Sequence, residues 1–328
     1  MCTSKFPSVR PRRLRRDGML RSIFAETHVT ADDLVYPLFV EEDTAEKLPI
    51  ASMPGVFRVP EAQLAEEVAS LYRDGVKAVI LFGVSHHKTE DGCDSWSDNG
   101  LLARMIRTAK QAAPYMVVIC DNCVCEYTTH GHCGVVVDRQ VDNDLTLENL
   151  GKQVITAARA GADLVAPSSM MDGQVAYLRQ SLDAAGFSGM PIMAYSTKFA
   201  SSFYGPFRIA AQSSVQGDRR GYQIDPPNGR EGIRESLLDE AEGADILMVK
   251  PGMPYLDILA RLREKTRTCQ SPSTRANGEY AMIKFAAEAG AIDEKDAVRE
   301  TLAAFKRAGA DLVISYFARE FVQGLFDE

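Results

Sequence analysis

Short apolar runs alternate with amphipathic stretches along most of the chain. The runs fall at residues 34–40 (LVYPLFV), 77–84 (KAVILFGV), 115–121, 162–168, 190–196, 244–250 and 311–317. They are nearly continuous in apolar residues, as strands buried on both faces are. Between them, residues 61–75, 145–161, 230–243 and 294–309 place apolar side chains three and four apart, the spacing of helices with one buried face. This alternation predicts a parallel sheet covered by helices. Three tetrapeptides repeat at the joins: Gly161-Ala162-Asp163-Leu164, Gly243-Ala244-Asp245-Ile246 and Gly309-Ala310-Asp311-Leu312. Each closes a helix and opens a strand, with glycine supplying the left-handed residue that ends the helix.

Repeats of such a unit predict an α/β fold of the (β/α)8 TIM-barrel type. Residues 1–30 read as an N-terminal oligomerisation arm and 31–328 as the barrel. Seven strands are distinct. The eighth must lie between 250 and 310, where the only room is the polar stretch TCQSPSTRANGEY at 268–280. An open α/β sheet is the other architecture the alternation allows. No G-x-G-x-x-G follows the first strand, so a dinucleotide site has no support.

Composition narrows the class. With 328 residues, 45% hydrophobic and 25% charged, the chain is neither disordered nor collagen-like nor a disulfide scaffold. No apolar run approaches the ~20 residues that cross a bilayer, and the N-terminus lacks the apolar core of a secretory signal. A cytoplasmic protein with no membrane partner is expected. Residues 1–21 hold seven cations (Lys5, Arg10, Arg12, Arg13, Arg15, Arg16 and Arg21) against Asp17 alone. These 21 residues therefore carry +6 and the remainder −14, for a whole-chain charge of −8. Nothing beyond the arm continues a basic surface, so it reads as docking on an acidic neighbouring subunit and not as a nucleic-acid grip.

Four of the seven cysteines fall within residues 120–133. In a chain with no export signal, such clustering means metal binding or reactive thiols. Cys123, Cys125 and Cys133 form C-x-C-x7-C directly after an apolar run. Three close thiolates suit tetrahedral Zn2+, and with no fourth cysteine the site is open, which favours catalysis over structure. His130 and His132 lie in the same loop and offer a closed site instead; unbound thiols are the plain alternative. Cys120 belongs to the run itself and reads as core.

Lys198 and Lys250 stand at the ends of consecutive predicted strands. Barrel active sites sit at the C-terminal ends of strands. An amine desolvated there has a lowered pKa and is free to attack a carbonyl as a Schiff-base nucleophile. One such lysine is as readily a snorkelling or ion-paired side chain, but two together suggest two carbonyl substrates side by side. Lys284 fits the polar edge of a helix. After Lys198 a long loop reaches Gly217-Asp218-Arg219-Arg220, a candidate lid. Arg208 and Arg219 on it are either surface arginines or a guanidinium pair for a substrate carboxylate.

The chain resembles the porphobilinogen synthase (5-aminolevulinate dehydratase) family over nearly its whole length. The resemblance rests on SMPGVFRV (52–59), LFGVSHHK (81–88), DNCVCEYTTHGHCG (121–134), VAPSSMMDG (165–173), YSTKFASSFYGPFR (195–208), RESLLDEAEGADILMVKPG (234–252), GEYAMIKFAA (278–287) and AGADLVISYFA (308–318). It implies condensation of two 5-aminolevulinate molecules to porphobilinogen in heme and other tetrapyrrole synthesis. Lys250 would hold the substrate giving the propionate side, and Lys198 the one giving the acetate side. Cys123, Cys125 and Cys133 look like the catalytic zinc ligands of the zinc-dependent branch. Asp121 and Ser168 would line the propionate-side pocket, Arg208 and Arg219 would hold the acetate-side carboxylate, and Tyr316 would contact the other. Glu235 matches a residue tied in some members to an allosteric Mg2+ at a subunit contact. The family assembles mostly as homo-octamers of dimers joined through N-terminal arms.

Some positions depart from the family pattern. Ser169 and Gln174 replace an aspartate and an arginine, and Thr274, Arg275, Ala276 and Asn277 replace the usual Y-x-V-S. Asn277 thus stands for a serine near the propionate-side carboxylate. These departures raise a second expectation: a paralogue with an altered propionate-side pocket, weak activity or another keto-acid substrate. A zinc-binding barrel without catalysis, and a class I aldolase, are the remaining rivals.

Overall fold

The structure, a computed structural model, describes residues 8–213, 215, 217–266, 269–274 and 277–326, with backbone alone for 269–274. Eight parallel strands form its centre: β1 (Leu34–Glu41), β2 (Ala78–Val84), β3 (Val117–Asn122), β4 (Leu164–Pro167), β5 (Met193–Lys198), β6 (Ile246–Lys250), β7 (Cys269–Thr274) and β8 (Leu312–Ile314). The ladder runs β4-β3-β2-β1-β8-β7-β6-β5. A parallel bridge from Val165 to Ile192 joins its two ends and closes the ring. The barrel expectation holds, and the open sheet is excluded.

Around it lie α1 (Leu64–Asp74), α2 (Leu101–Ala112), α3 (Asn143–Ala160), α4 (Gln174–Ala184), α5 (Gly229–Glu242), α6 (Leu256–Arg263), α7 (Asn277–Glu288) and α8 (Glu294–Arg307). The apolar stripe of α1 (Leu64, Val68 and Leu71) is fully buried, whereas Leu237 and Leu238 on α5 and Met282 and Phe285 on α7 are exposed. Burial of this kind stabilises by roughly 1.5–3 kcal/mol per large side chain.

The repeated Gly-Ala-Asp joins do two jobs. Gly161, Gly243 and Gly309 adopt φ of 98°, 106° and 108°, the left-handed geometry the pattern requires. Two of the aspartates then tether neighbouring strands, while Asp311 pairs with Arg263 of α6 at 2.9 Å. Asp163 Oδ2 accepts from the Val118 amide at 2.8 Å, and Asp245 Oδ2 from the Ile192 amide at 2.8 Å. That second role leaves no trace in the sequence.

The poorly patterned stretch at 268–280 does supply the missing strand. Paired with β6 on one side and β8 on the other, β7 is held by its ladder. Arg275 and Ala276 lie outside the described residues, as does the Thr274 side chain. The other strands are shorter than their apolar runs or shifted along them. Residues 311–317 give strand only at Leu312–Ile314, and the 115–121 run becomes Val117–Asn122, so Asp121 lies within β3.

The basic arm begins with a short turn at Pro11–Arg15 and a helix at Gly18–Ile23, capped by Asp17 accepting from the Leu20 amide at 2.9 Å. Neither element buries a residue, and Leu14, Met19, Ile23 and Phe24 are all exposed. Lys5 lies outside the described residues. Among the described residues no helix is long and apolar enough to cross a membrane.

Candidate active site

Lys198 ends β5 and Lys250 ends β6, and the two are direct register partners on adjacent strands. Both are buried, at 6% and 5% exposure. This pairing depends on an irregularity. Ile246 and Leu247 oppose Met193 and Ala194, but Val249 and Lys250 oppose Thr197 and Lys198, so β5 carries one extra residue beside Met248. Without that shift Lys250 would oppose Thr197. A one-residue slip in a strand exchanges its inward and outward faces.

The two amines have different surroundings. Lys198 Nζ donates to the Ser168 carbonyl at 2.5 Å. Lys250 Nζ lies among rings, 4.8 Å from the centroid of Tyr195, 5.0 Å from Phe207, 5.8 Å from Phe82 and 5.9 Å from Tyr204. Burial, helped by the neighbouring Lys198 charge, lowers its pKa to about 8. Asp121, from β3, accepts from Ser168 Oγ at 3.2 Å. Burial raises its pKa, against the pull of both lysines.

Asp121, Cys125, Glu126, Ser168, Lys198, Tyr204, Phe207, Arg219 and Lys250 enclose a space of about 10 Å³, room for a single water. Glu126, Tyr204 and Phe207 are contributors that sequence reasoning missed. Glu126 is fully buried, which pushes its pKa up to about 7, and its Oε2 accepts from Cys125 Sγ at 3.3 Å. Its position directly after the second cysteine was the available signal. Tyr204 and Phe207 come from the lid, where an apolar face on a loop was the clue.

The thiols of Cys123, Cys125 and Cys133 lie within 4.8 Å of one another and are buried. Three soft donors converging on one point fit a Zn2+ ion. No histidine joins this group among the described residues. His130 turns Nε2 to the Glu90 carbonyl at 3.0 Å, and His132 Nδ1 lies 3.2 Å from the Tyr222 hydroxyl. Cys120 is buried in β3, as its place in the apolar run suggested. Lys284 is on α7, paired with Glu294 and Glu320 at 3.4 Å for the latter.

Arg208 and Arg219 border a second chamber of about 250 Å³, which shares Tyr204 and Arg219 with the inner space. Arg208 is exposed on the lid helix Gly205–Ala210. Arg219 Nη2 donates to the Gly131 carbonyl at 2.9 Å and Ser213 Oγ at 2.8 Å, joining the lid to the cysteine loop. Asn277 Nδ2 donates to the Tyr316 hydroxyl at 2.8 Å, both residues being buried. Neither borders the inner space. Glu235, on α5, also lies elsewhere: it edges an outer cavity of about 590 Å³ with Asp172 and Glu231. Partial burial and those two carboxylates raise its pKa.

The departures at residues 169 and 174 lie outside the wall of the inner space. Ser169 and Gln174 are buried, but neither borders the inner space, and Gln174 Nε2 donates to the Pro167 carbonyl at 3.5 Å.

A closed (β/α)8 barrel with paired buried lysines at its strand ends defines a class of lysine-bearing barrel enzyme. The comparisons narrow it. A family model described as delta-aminolevulinic acid dehydratase matches residues 8–324. The delta-aminolevulinic acid dehydratase of Escherichia coli (strain K12) is 57% identical over 314 residues, covering 96% of this chain and 97% of that one. That of Archaeoglobus fulgidus is 47% identical over 323 residues, covering 98% and 99%. A crystal structure of the Toxoplasma gondii ME49 enzyme with its reaction product porphobilinogen superimposes with a TM-score of 0.92 at 46% identity, covering 96% and 91%. The chain belongs to the delta-aminolevulinic acid dehydratase family, enzymes of porphyrin biosynthesis.

Proposed function

We propose that this chain condenses two molecules of 5-aminolevulinate to porphobilinogen, using Lys250 and Lys198 as Schiff-base amines and a zinc ion held by Cys123, Cys125 and Cys133. The observation that carries this reading is the register pairing of two buried lysines. The Lys250 free base adds to the keto carbon of one substrate and expels water, forming an iminium that acidifies the adjacent C–H. Lys198 does the same to the second substrate. Asp121, with its raised proton affinity, is placed to take and return a proton at its carboxylate. Holding both substrates on one barrel rim makes the condensation effectively intramolecular. Zinc, when bound, supplies a Lewis acid or a basic hydroxide. Arg208 and Arg219 offer guanidinium groups for one substrate carboxylate, and Asn277 and Tyr316 polar atoms near the other.

Borohydride reduction in the presence of 5-aminolevulinate, followed by peptide mapping, is the test. Covalent adducts are expected at Lys250 and Lys198. Adducts at neither would leave a barrel without this chemistry, and a product other than a pyrrole would favour an aldolase.

The assembly belongs to the same proposal. An exposed basic arm with unburied Leu14, Met19, Ile23 and Phe24 fits docking on a second copy of the acidic barrel, within an octamer. Deleting residues 1–21 should lower the sedimenting mass; an unchanged mass would exclude the docking role. Mg2+ at Glu235 rests on the acidic company of Asp172 and Glu231.

A further inference from the structure

The inner space holds about 10 Å³, and Tyr204, Phe207 and Arg219 of the lid border it beside Lys198 and Lys250, so the lid stands between these amines and an incoming substrate. What holds it shut is visible at the rim of β1 and β2. Glu41 ends β1 with a carboxylate only 3% exposed, paired with Arg58 Nε at 2.7 Å and lying 3.2 Å from His86 Nε2. Its Oε1 accepts from Gln212 Nε2 on the lid at 2.8 Å. Lys88 Nζ donates to the Gln212 carbonyl at 2.9 Å, and Arg58 Nη1 reaches the Ile209 carbonyl at 3.5 Å. Gln212 itself has φ of 48°, a left-handed conformation that an ordinary side chain adopts only when its surroundings impose it. Five residues earlier on the same segment is Phe207, one of the rings over Lys250.

We propose that Gln212 is a positioning residue that latches the lid, with Glu41, Arg58 and Lys88 as its catch, and so sets how readily substrates reach Lys250 and Lys198. The buried Arg58–Glu41 pair prepays the desolvation of the catch, leaving a fixed acceptor for one amide. Lys88 grips the backbone of the same residue from the other side. Two grips on one strained residue make the closed lid a discrete state and not a continuum. Opening breaks these contacts together with those of Ser213 and Arg219 to the Gly131 carbonyl, while the barrel strands below are held by their own ladder. This rests on the reading of the two lysines as the reactive amines.

The test measures lid motion separately from turnover. Gln212→Ala removes the amide and keeps the backbone cost. Hydrogen exchange of the amides at 205–213 should accelerate about tenfold or more, the scale of one hydrogen bond to a charged group, while barrel-strand amides keep their protection. Lys88→Met should act in the same direction. With 5-aminolevulinate, kcat/KM should fall roughly three- to tenfold, and Gln212→Asn, which keeps an amide and tolerates a left-handed φ, should recover a large part of it. Unchanged lid exchange in Gln212→Ala overturns the latch. Faster exchange spread through the barrel with a lower Tm overturns it too, as a structural role. Faster lid exchange with unaltered kinetics ends the gating claim. If the unmodified protein makes no adduct and no product, the lysine reading has failed, while the exchange data still decide the latch.

Discussion

Replacing Lys250 by methionine is expected to lower the condensation rate by on the order of 10⁵-fold, because the substrate then loses its covalent tether and with it the advantage of an intramolecular reaction. The same group sets the pH dependence. With its pKa lowered to about 8, roughly a tenth of Lys250 is free base at pH 7, against about 0.03% for a lysine at its ordinary 10.5. The reactive form is thus about 300-fold more abundant than in an exposed lysine. The unmodified enzyme should gain kcat/KM as pH rises through about 8, then level off. A flat profile between pH 6.5 and 9 would show that Lys250 is not the group whose deprotonation limits the reaction.

The substitution should also make the protein more stable. Lys250 binds its proton less tightly in the folded state than in the unfolded one, so its burial counts against folding. That penalty is fully present below pH 8, shrinks between 8 and 10.5, and vanishes above. A shift of this size corresponds to about 3 kcal/mol at most. Methionine fills similar volume among Tyr195, Phe207, Phe82 and Tyr204 without a charge. Asp121 loses a cation, which raises its proton affinity further in the direction burial already sets. Lys250→Met should therefore melt several degrees higher at pH 7, with the gap closing as pH approaches 10.5. An inactive variant that melts lower at pH 7 would mean the ammonium is a stabilising partner and not a strained nucleophile.

Much of this was legible in the sequence because barrels are built from local rules. Apolar runs gave seven strands, and the Gly-Ala-Asp joins marked where helices end, since both signals depend on a residue and its immediate neighbours. The eighth strand was placed only by counting, because β7 is fixed by pairing with β6 and β8, which no local pattern encodes. The lysines were visible as strand ends. Their proximity was visible too, as the ends of consecutive strands, but their exact register was not, for it depends on the extra residue of β5 beside Met248. The thiols were visible from spacing, but not the turning away of His130 and His132. Ser169 and Gln174 were placed on the propionate side from their position in the family motif, yet Ser169 stands one residue from a residue of the inner space and does not itself border it. Difference alone carries no direction.

Removing metal with a chelator should reduce turnover at least about 10²-fold while leaving the fold intact. Structural zinc sites unfold when emptied because the metal is their main crosslink. The cysteine loop here has other anchors. Gln153 Nε2 donates to the Cys123 carbonyl at 2.8 Å, the Tyr222 hydroxyl accepts from the Cys133 amide at 3.4 Å, and Thr128 Oγ1 donates to the His132 carbonyl at 3.2 Å. Ser213 and Arg219 both donate to the Gly131 carbonyl, at 3.1 and 2.9 Å. A loop held by five hydrogen bonds at four of its backbone groups needs no ion to stay folded, so what the thiols add is chemistry. Circular dichroism melts before and after chelation should agree within a few degrees, and zinc should restore activity. Cys133→Ser should lose bound zinc with little change in the melt. Collapse of the melt on chelation would make the site structural, and full turnover by metal-free protein would remove the thiols from the reaction.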